Sequence, residues 1–245
     1  MDPPAINKPL LAKEALEKLL RDYSFQTVLD VGCGTGRHTR LFREAGKQVT
    51  AIDIYPAVDD AVQADYLQHR FDRTFDCVWV SHVLEHQLNV NLFLRKLHSE
   101  LREGGLLAIS IPPLKQEIVG GHVTLWNAGL LLYNLILAGF DCSDAAIKCY
   151  GYNISLIMPK ISARLPLDQL RYDKGDLDLL ARFFPKVAGM QWKQSFNGRI
   201  RQLNWDRRGI DLQERRSSWR GLVTRLGQVL RFSRPAAPVQ VARAA

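Results

Sequence analysis

Asp30, Gly32, Gly34 and Gly36 stand together in the run VLDVGCGTGR at 28–37, a D-x-G-x-G-x-G pattern where an apolar burst gives way to a helical stretch. Glycines at such a junction permit positive backbone dihedrals and let a ligand come close to main-chain N–H groups. A nicotinamide fingerprint needs glycine or alanine at position 37 for tight helix packing, and Arg37 occupies that place. The Lys-Ser/Thr of a phosphate-cradling loop is missing as well. Asp53 ends the next apolar stretch, QVTAIDI at 48–54, where a carboxylate can accept both hydroxyls of a ribose. Asp65, in QADYLQ, lies where a third strand would end and can accept an adenine amino group. Glycines and two acids so spaced describe a pocket for an adenosine without phosphates.

The elements that would hold these residues alternate in type. Residues 9–21 carry Leu11, Ala15, Leu16, Leu19 and Leu20 on one stripe, the spacing of an amphipathic helix. TVLDV at 27–31, QVTAIDI, FDCVWV at 75–80 and LLAISI at 106–111 are short, unbroken apolar runs, the signature of strands buried on both faces. Helical stretches separate them, the third running through LFLRKLHSELREGG, so a parallel sheet covered on both sides is expected. AAIKCY at 145–150 and NISLIMP at 153–159 predict an antiparallel hairpin closing that sheet. The uncharged stretch 123–140 is interrupted by Asn127, Gly129 and Asn134, and reads as a buried helix in preference to a membrane span.

The glycine loop, IDI, FDCVWVSHVLEH and LREGGLLAISIP together resemble the class I S-adenosylmethionine-dependent methyltransferases over roughly residues 10–160. The resemblance implies an α/β fold with a doubly wound, mostly parallel seven-stranded sheet whose last strand is antiparallel, a Rossmann-like methyltransferase fold. It implies S-adenosyl-L-methionine as cofactor, with Asp53 on the ribose, Asp65 and Tyr66 flanking the adenine, and the Gly32–Gly36 loop under the methionine part. Asp30, Cys33, Ile54, Ser81 and His82 complete the expected cofactor contacts. Only 11 residues separate Asp53 from Asp65, a departure that leaves the intervening helix short or missing.

The acceptor side is read from SHVLEH at 81–86, which stands where nitrogen-methylating relatives carry Asn/Asp-Pro-Pro-Tyr/Phe. It resembles instead the branch acting on small molecules, lipids and sugars, and with the GGHVTLW region it points to O-methylation in surface-glycan and lipopolysaccharide assembly. Imidazole suits proton removal near neutral pH, and His122 and His86 are the candidate catalytic bases. Glu85 is read as structural or as a cofactor neighbour; His38, His69 and His98 are read as surface residues. No His, Cys and carboxylate set has metal-site spacing, so no metal is expected.

Net charge is +8, and all of it sits in residues 199–245, with 11 arginines against Asp206, Asp211 and Glu214. Residues 161–208 are expected to form a substrate-side addition to the 1–160 methyltransferase domain, with a helix at 175–185 and a type I′ hairpin turn at Asn197-Gly198. Within 209–245, a basic amphipathic helix over 216–234 would dock on its own domain or meet an anionic membrane or acidic partner, ahead of a frayed tail. The tail lacks basic residues interleaved with aromatics, which speaks against nucleic acid; an RNA methyltransferase and a non-catalytic regulatory protein remain the alternatives. Four cysteines without a CxxC pair and an N-terminus without a signal-peptide plan predict a reducing, cytoplasmic setting, peripheral on the inner membrane if the basic helix binds there.

Overall fold

The computed structural model describes residues 10–186 and 195–208. Helix α1 (Lys13–Asp22) precedes β1 (Thr27–Val31), α2 (Arg37–Glu44), β2 (Gln48–Asp53), β3 (Val62–Gln63) and β4 (Phe75–Ser81). After a 3₁₀ turn at Leu84–His86 come α3 (Val90–Glu100), β5 (Leu101–Ile111), α4 (Ala128–Leu137), β6 (Ala146–Tyr150), β7 (Asn153–Pro159), α5 (Asp176–Leu180) and β8 (Gln202–Leu203). The strands form one sheet in the order β3-β2-β1-β4-β5-β7-β6-β8. β3 through β5 in that order are parallel, whereas β7 runs antiparallel to both β5 and β6. The expected seven strands are therefore present with an antiparallel member between β5 and β6, and the two-residue β8 adds an eighth at the β6 edge.

Alternating side chains of the buried strands feed two cores. Leu29, Val31, Val78 and Val80 pack with Phe93 and Leu97 of α3 and Leu131 and Leu135 of α4. Val28, Cys77 and Trp79 face the other way, onto Leu16 and Leu19 of α1 and Phe42 of α2. Two-sided burial explains why these strands read as continuous apolar runs. The chain reverses direction across the sheet between β1 and β4, and the crevice outside the strand ends at such a switch point is where α/β sheets hold ligands.

Several element boundaries differ from expectation. The third helix ends at Glu100, not in the Gly104-Gly105 turn, because Leu101 pairs with Phe75 and Arg102 reaches Asp76 at 2.5 Å, which draws the chain into β5 early. No helix lies between β2 and β3. The 123–140 stretch is the buried α4, and among the described residues no helix is long and apolar enough to cross a membrane. Asn197 and Gly198 lack the positive φ of a type I′ turn. Gly198 instead lies against the start of α4, its carbonyl accepting the Gly129 N–H at 2.9 Å, and a side chain there would strike Asn127. The basic helix expected over 216–234 lies outside the described residues.

Candidate active site

The loop after β1 turns at Gly32 with φ +72, and any side chain there would run into Val83 behind it. Gly34 differs: φ is +50, and a Cβ would project into open space with nothing within 4 Å. Its N–H donates to Asp53 Oδ2 at 2.8 Å, while Tyr55 N–H donates to Oδ1 at 2.9 Å. The carboxylate is thus fixed at the end of β2 with a lone pair on each oxygen still available. Ile54, more than half exposed, follows it on the same rim. An open glycine edge beside an anchored carboxylate fits an adenosine carrying a short cationic side chain, and the residues present agree with the cofactor that the resemblance implies.

Asp30 lies beneath the loop, fully buried, and accepts a 2.6 Å hydrogen bond from Thr39 Oγ1. Burial, with repulsion from Asp53, pushes its carboxyl up to about 6. Cys33 is buried, and the same desolvation, aided by both acids, pushes its thiol up to about 12, which leaves it unreactive. Asp65 follows β3 at the sheet's C-terminal rim, exposed, with Oδ1 accepting from Leu67 N–H at 2.9 Å. Tyr66, next to Asp65, is buried, its ring packed edge-on to Phe93 with 5.3 Å between centroids.

β4 and β5 deliver the acceptor side. Ser81 ends β4 opposite Ser110, and His82 follows in a left-handed conformation, φ +57, unusual for a non-glycine residue. The His82 ring lies between Asn153 Oδ1 at 3.0 Å and Glu85 Oε1 at 3.2 Å. Asn153 Oδ1 also accepts the Ala12 N–H at 2.8 Å, so His82 Nε2 is the donor there. Both ring nitrogens face acceptors. Burial favours the neutral ring, but Glu85 and Asn153 outweigh it and raise the pKa above the ordinary histidine value. The His82 ring is therefore fixed in place.

Glu85 is fully buried at the 3₁₀ turn. Its Oε1 lies 3.2 Å from His82 Nδ1, as an ion pair, and 4.0 Å from His86 Nε2, beyond hydrogen-bond distance, and among the described residues Oε2 has no hydrogen-bond partner. The loop after β5 closes over this turn: Val123 N–H donates to the Glu85 carbonyl at 2.9 Å, and the Gly121 carbonyl lies 2.7 Å from His86 Nδ1. His122, half-buried, meets His86 edge-on with 5.0 Å between ring centroids. The fold therefore gathers His86 and His122, 36 positions apart, beside Glu85. Nearby, Lys115, Trp126 and Tyr152 line a pocket that His122 shares.

Of the histidines read as surface, His38 is half-buried against Trp79, its Nε2 3.0 Å from the Leu11 carbonyl, and burial lowers its pKa to about 4. His98 packs on Phe140 at 4.7 Å and is likewise held down, to about 4. Sequence reasoning missed the roles of Asn153 and Gly121; both act across long separations that leave no local signal.

A family profile described as "Methyltransferase domain" matches residues 7–134. Among curated proteins, the malonyl-[acyl-carrier protein] O-methyltransferase of Salmonella typhimurium is 31% identical over 120 residues, 42% of this chain and 48% of that protein. The ubiquinone biosynthesis O-methyltransferase of Rickettsia conorii is 32% identical over 108 residues, 38% of this chain and 37% of that one. The chain thus spans about half or less of the length of these relatives. Among solved structures, the Burkholderia thailandensis 1,6-didemethyltoxoflavin-N1-methyltransferase with bound S-adenosylhomocysteine shares the fold at TM-score 0.52 and 21% identity, over 61% of this chain and 77% of that one. A SAM-dependent methyltransferase from Archaeoglobus fulgidus does so at TM-score 0.51 and 19% identity, over 60% and 94%.

Proposed function

The chain belongs to the S-adenosylmethionine-dependent class I methyltransferases, and on that premise we propose that it methylates a hydroxyl oxygen of a small, glycan or lipid-linked acceptor. The observation that carries this reading is the pairing of His86 and His122 at the strand ends beside the glycine loop. Bound S-adenosylmethionine would supply a methyl group on a sulfonium sulfur, whose thioether would leave with the carbon–sulfur electron pair as the acceptor oxygen bonds in line to the methyl carbon.

The chain's own residues supply alignment and proton handling. The Gly32–Gly36 loop and Asp53 hold the adenosine, with Asp30, Cys33, Ile54, Asp65, Ser81 and His82 around it. His82, with both nitrogens facing acceptors, is held in place and has no free nitrogen to act as a base. His86 Nδ1–H is engaged by the Gly121 carbonyl, which turns the Nε2 lone pair toward the acceptor side, where it or His122 can take the hydroxyl proton.

Exposed apolar side chains at Leu88, Ile118 and Val123 border the His122 loop and favour an acceptor with a lipid portion. A cytoplasmic location at the inner-membrane face suits such an acceptor. The O-methyltransferase relatives are in keeping with an oxygen acceptor.

The test is methyl transfer from labelled S-adenosylmethionine to fractionated polar lipids, glycans and RNA. Label in a lipid or glycan fraction, lost in His122→Ala while cofactor affinity is kept, supports the reading. Label in RNA alone, or turnover unchanged in His122→Ala, refutes it.

A further inference from the structure

Glu85, His86 and His122 form a cluster of donor atoms beside the glycine-loop pocket, and we propose that it binds a divalent transition-metal ion. One ligand atom from each residue lies within 4.8 Å of the other two. Glu85 is the strongest indication. Its carboxylate is fully buried, Oε1 meets the His82 ring at 3.2 Å, and Oε2 has no hydrogen-bond partner among the described residues, which leaves acceptor capacity that a cation can use. His82 meets Oε1 at 3.2 Å through Nδ1, its other nitrogen being held by Asn153. It orients the carboxylate without satisfying Oε2.

His86 is set up as a ligand. Metal-bound histidines donate their second N–H to a carbonyl or carboxylate, which fixes ring and tautomer. His86 Nδ1 has that partner in the Gly121 carbonyl at 2.7 Å, so the lone pair is on Nε2, 4.0 Å from Glu85 Oε1. Position 121 favours glycine: its φ is +80, and a Cβ would lie 3.2 Å from His86 Nδ1. Metal bonds of about 2.0–2.2 Å put ligand atoms roughly 3–3.5 Å apart, so the cluster has to close by about 1 Å around an ion. His122, on a half-buried loop position, can make that movement.

Two imidazoles and one carboxylate select zinc, cobalt, iron or manganese over magnesium and calcium, which prefer oxygen ligands. Three protein ligands leave coordination positions open, and the His122 side faces the pocket lined by Lys115, Trp126 and Tyr152. The use of the ion rests on the function proposed above. An acceptor hydroxyl reaching an open position would have its pKa lowered, its proton would pass to water, and its oxygen pair would then form the bond to the methyl carbon as the carbon–sulfur bond breaks toward sulfur. In that form the two imidazoles activate the acceptor through the ion, as ligands.

The experiment uses the full chain, chelator-treated and free of cofactor, titrated with Co²⁺ by visible absorption and with Zn²⁺ by calorimetry. One ion per chain is expected, undisturbed by equimolar Mg²⁺. His122→Ala and Glu85→Gln should each weaken binding at least about tenfold. A substitution at buried Glu85 puts folding itself at risk, so the half-buried His122 is the deciding position. Absence of stoichiometric binding, or binding that His122→Ala leaves intact, overturns the site. S-adenosylmethionine is titrated separately: a chain that binds it but no ion refutes the site alone, and one that binds the ion but not the cofactor refutes the methyltransferase reading while the site stands.

Discussion

Gly34 and Asp53, 19 residues apart on different strand ends, are joined by a 2.8 Å hydrogen bond from the glycine N–H to the carboxylate. The loop that would lie under the cofactor and the acid that would grip its ribose are therefore one unit. Asp53→Ala removes the ribose acceptor and the loop's tether together. Cofactor affinity should fall by about 1–3 kcal/mol, because a half-buried charged acceptor is lost. Asp53→Asn, whose single oxygen can still take the Gly34 N–H, should lose less. Titration calorimetry with S-adenosylmethionine orders the two, and equal losses would show that the tether is irrelevant.

Gly34→Val should abolish cofactor binding outright. Its Cβ would enter the open space of the pocket, and its φ of +50 strains any β-branched residue. Cofactor binding within threefold of the unsubstituted chain would mean that the pocket lies elsewhere.

Gly121→Ala probes the loop over the 3₁₀ turn. The methyl group would press on His86 Nδ1 and strain a backbone at φ +80. Turnover should fall at least about tenfold while cofactor affinity stays near normal, since the disturbed group acts on the acceptor. A loss of cofactor affinity in step with turnover would contradict the division of the site into two sides.

Asp30 gives a pH dependence with a definite sign. Its folded-state pKa is raised to about 6 by burial, so the folded state favours the protonated form. That contribution to stability is fully present below the unfolded carboxylate range near 4 and is lost as pH rises through 6. Asp30→Asn keeps an acceptor for Thr39 and removes the buried charge. Without cofactor, the variant should be more stable than the parent at pH 7 by about 2–3 kcal/mol, and the difference should vanish near pH 4. Paired urea titrations at the two pH values measure it; a variant less stable at pH 7 would show that the ionised form is favoured by something beyond Thr39.

The sequence alone determined the alternation of strands and helices, because two-sided burial writes continuous apolar runs at β1, β2, β4 and β5. It also determined the glycine loop and Asp53, since a backbone that must adopt positive φ and a strand-end acid leave local marks. Tertiary structure decided what local patterns could not carry. Leu101 joined β5 because Phe75 offered a strand partner. Gly198 left its turn geometry for a contact with Gly129. Tyr66 packs its ring edge-on to Phe93 in the core. His38 became a half-buried ring on Trp79. The grouping of Glu85, His86 and His122 had no spacing to announce it, for the third member arrives on a loop after β5, drawn in by the Val123 N–H to the Glu85 carbonyl. Contacts between distant segments depend on where the sheet places them, and that placement exists only once the whole chain has packed.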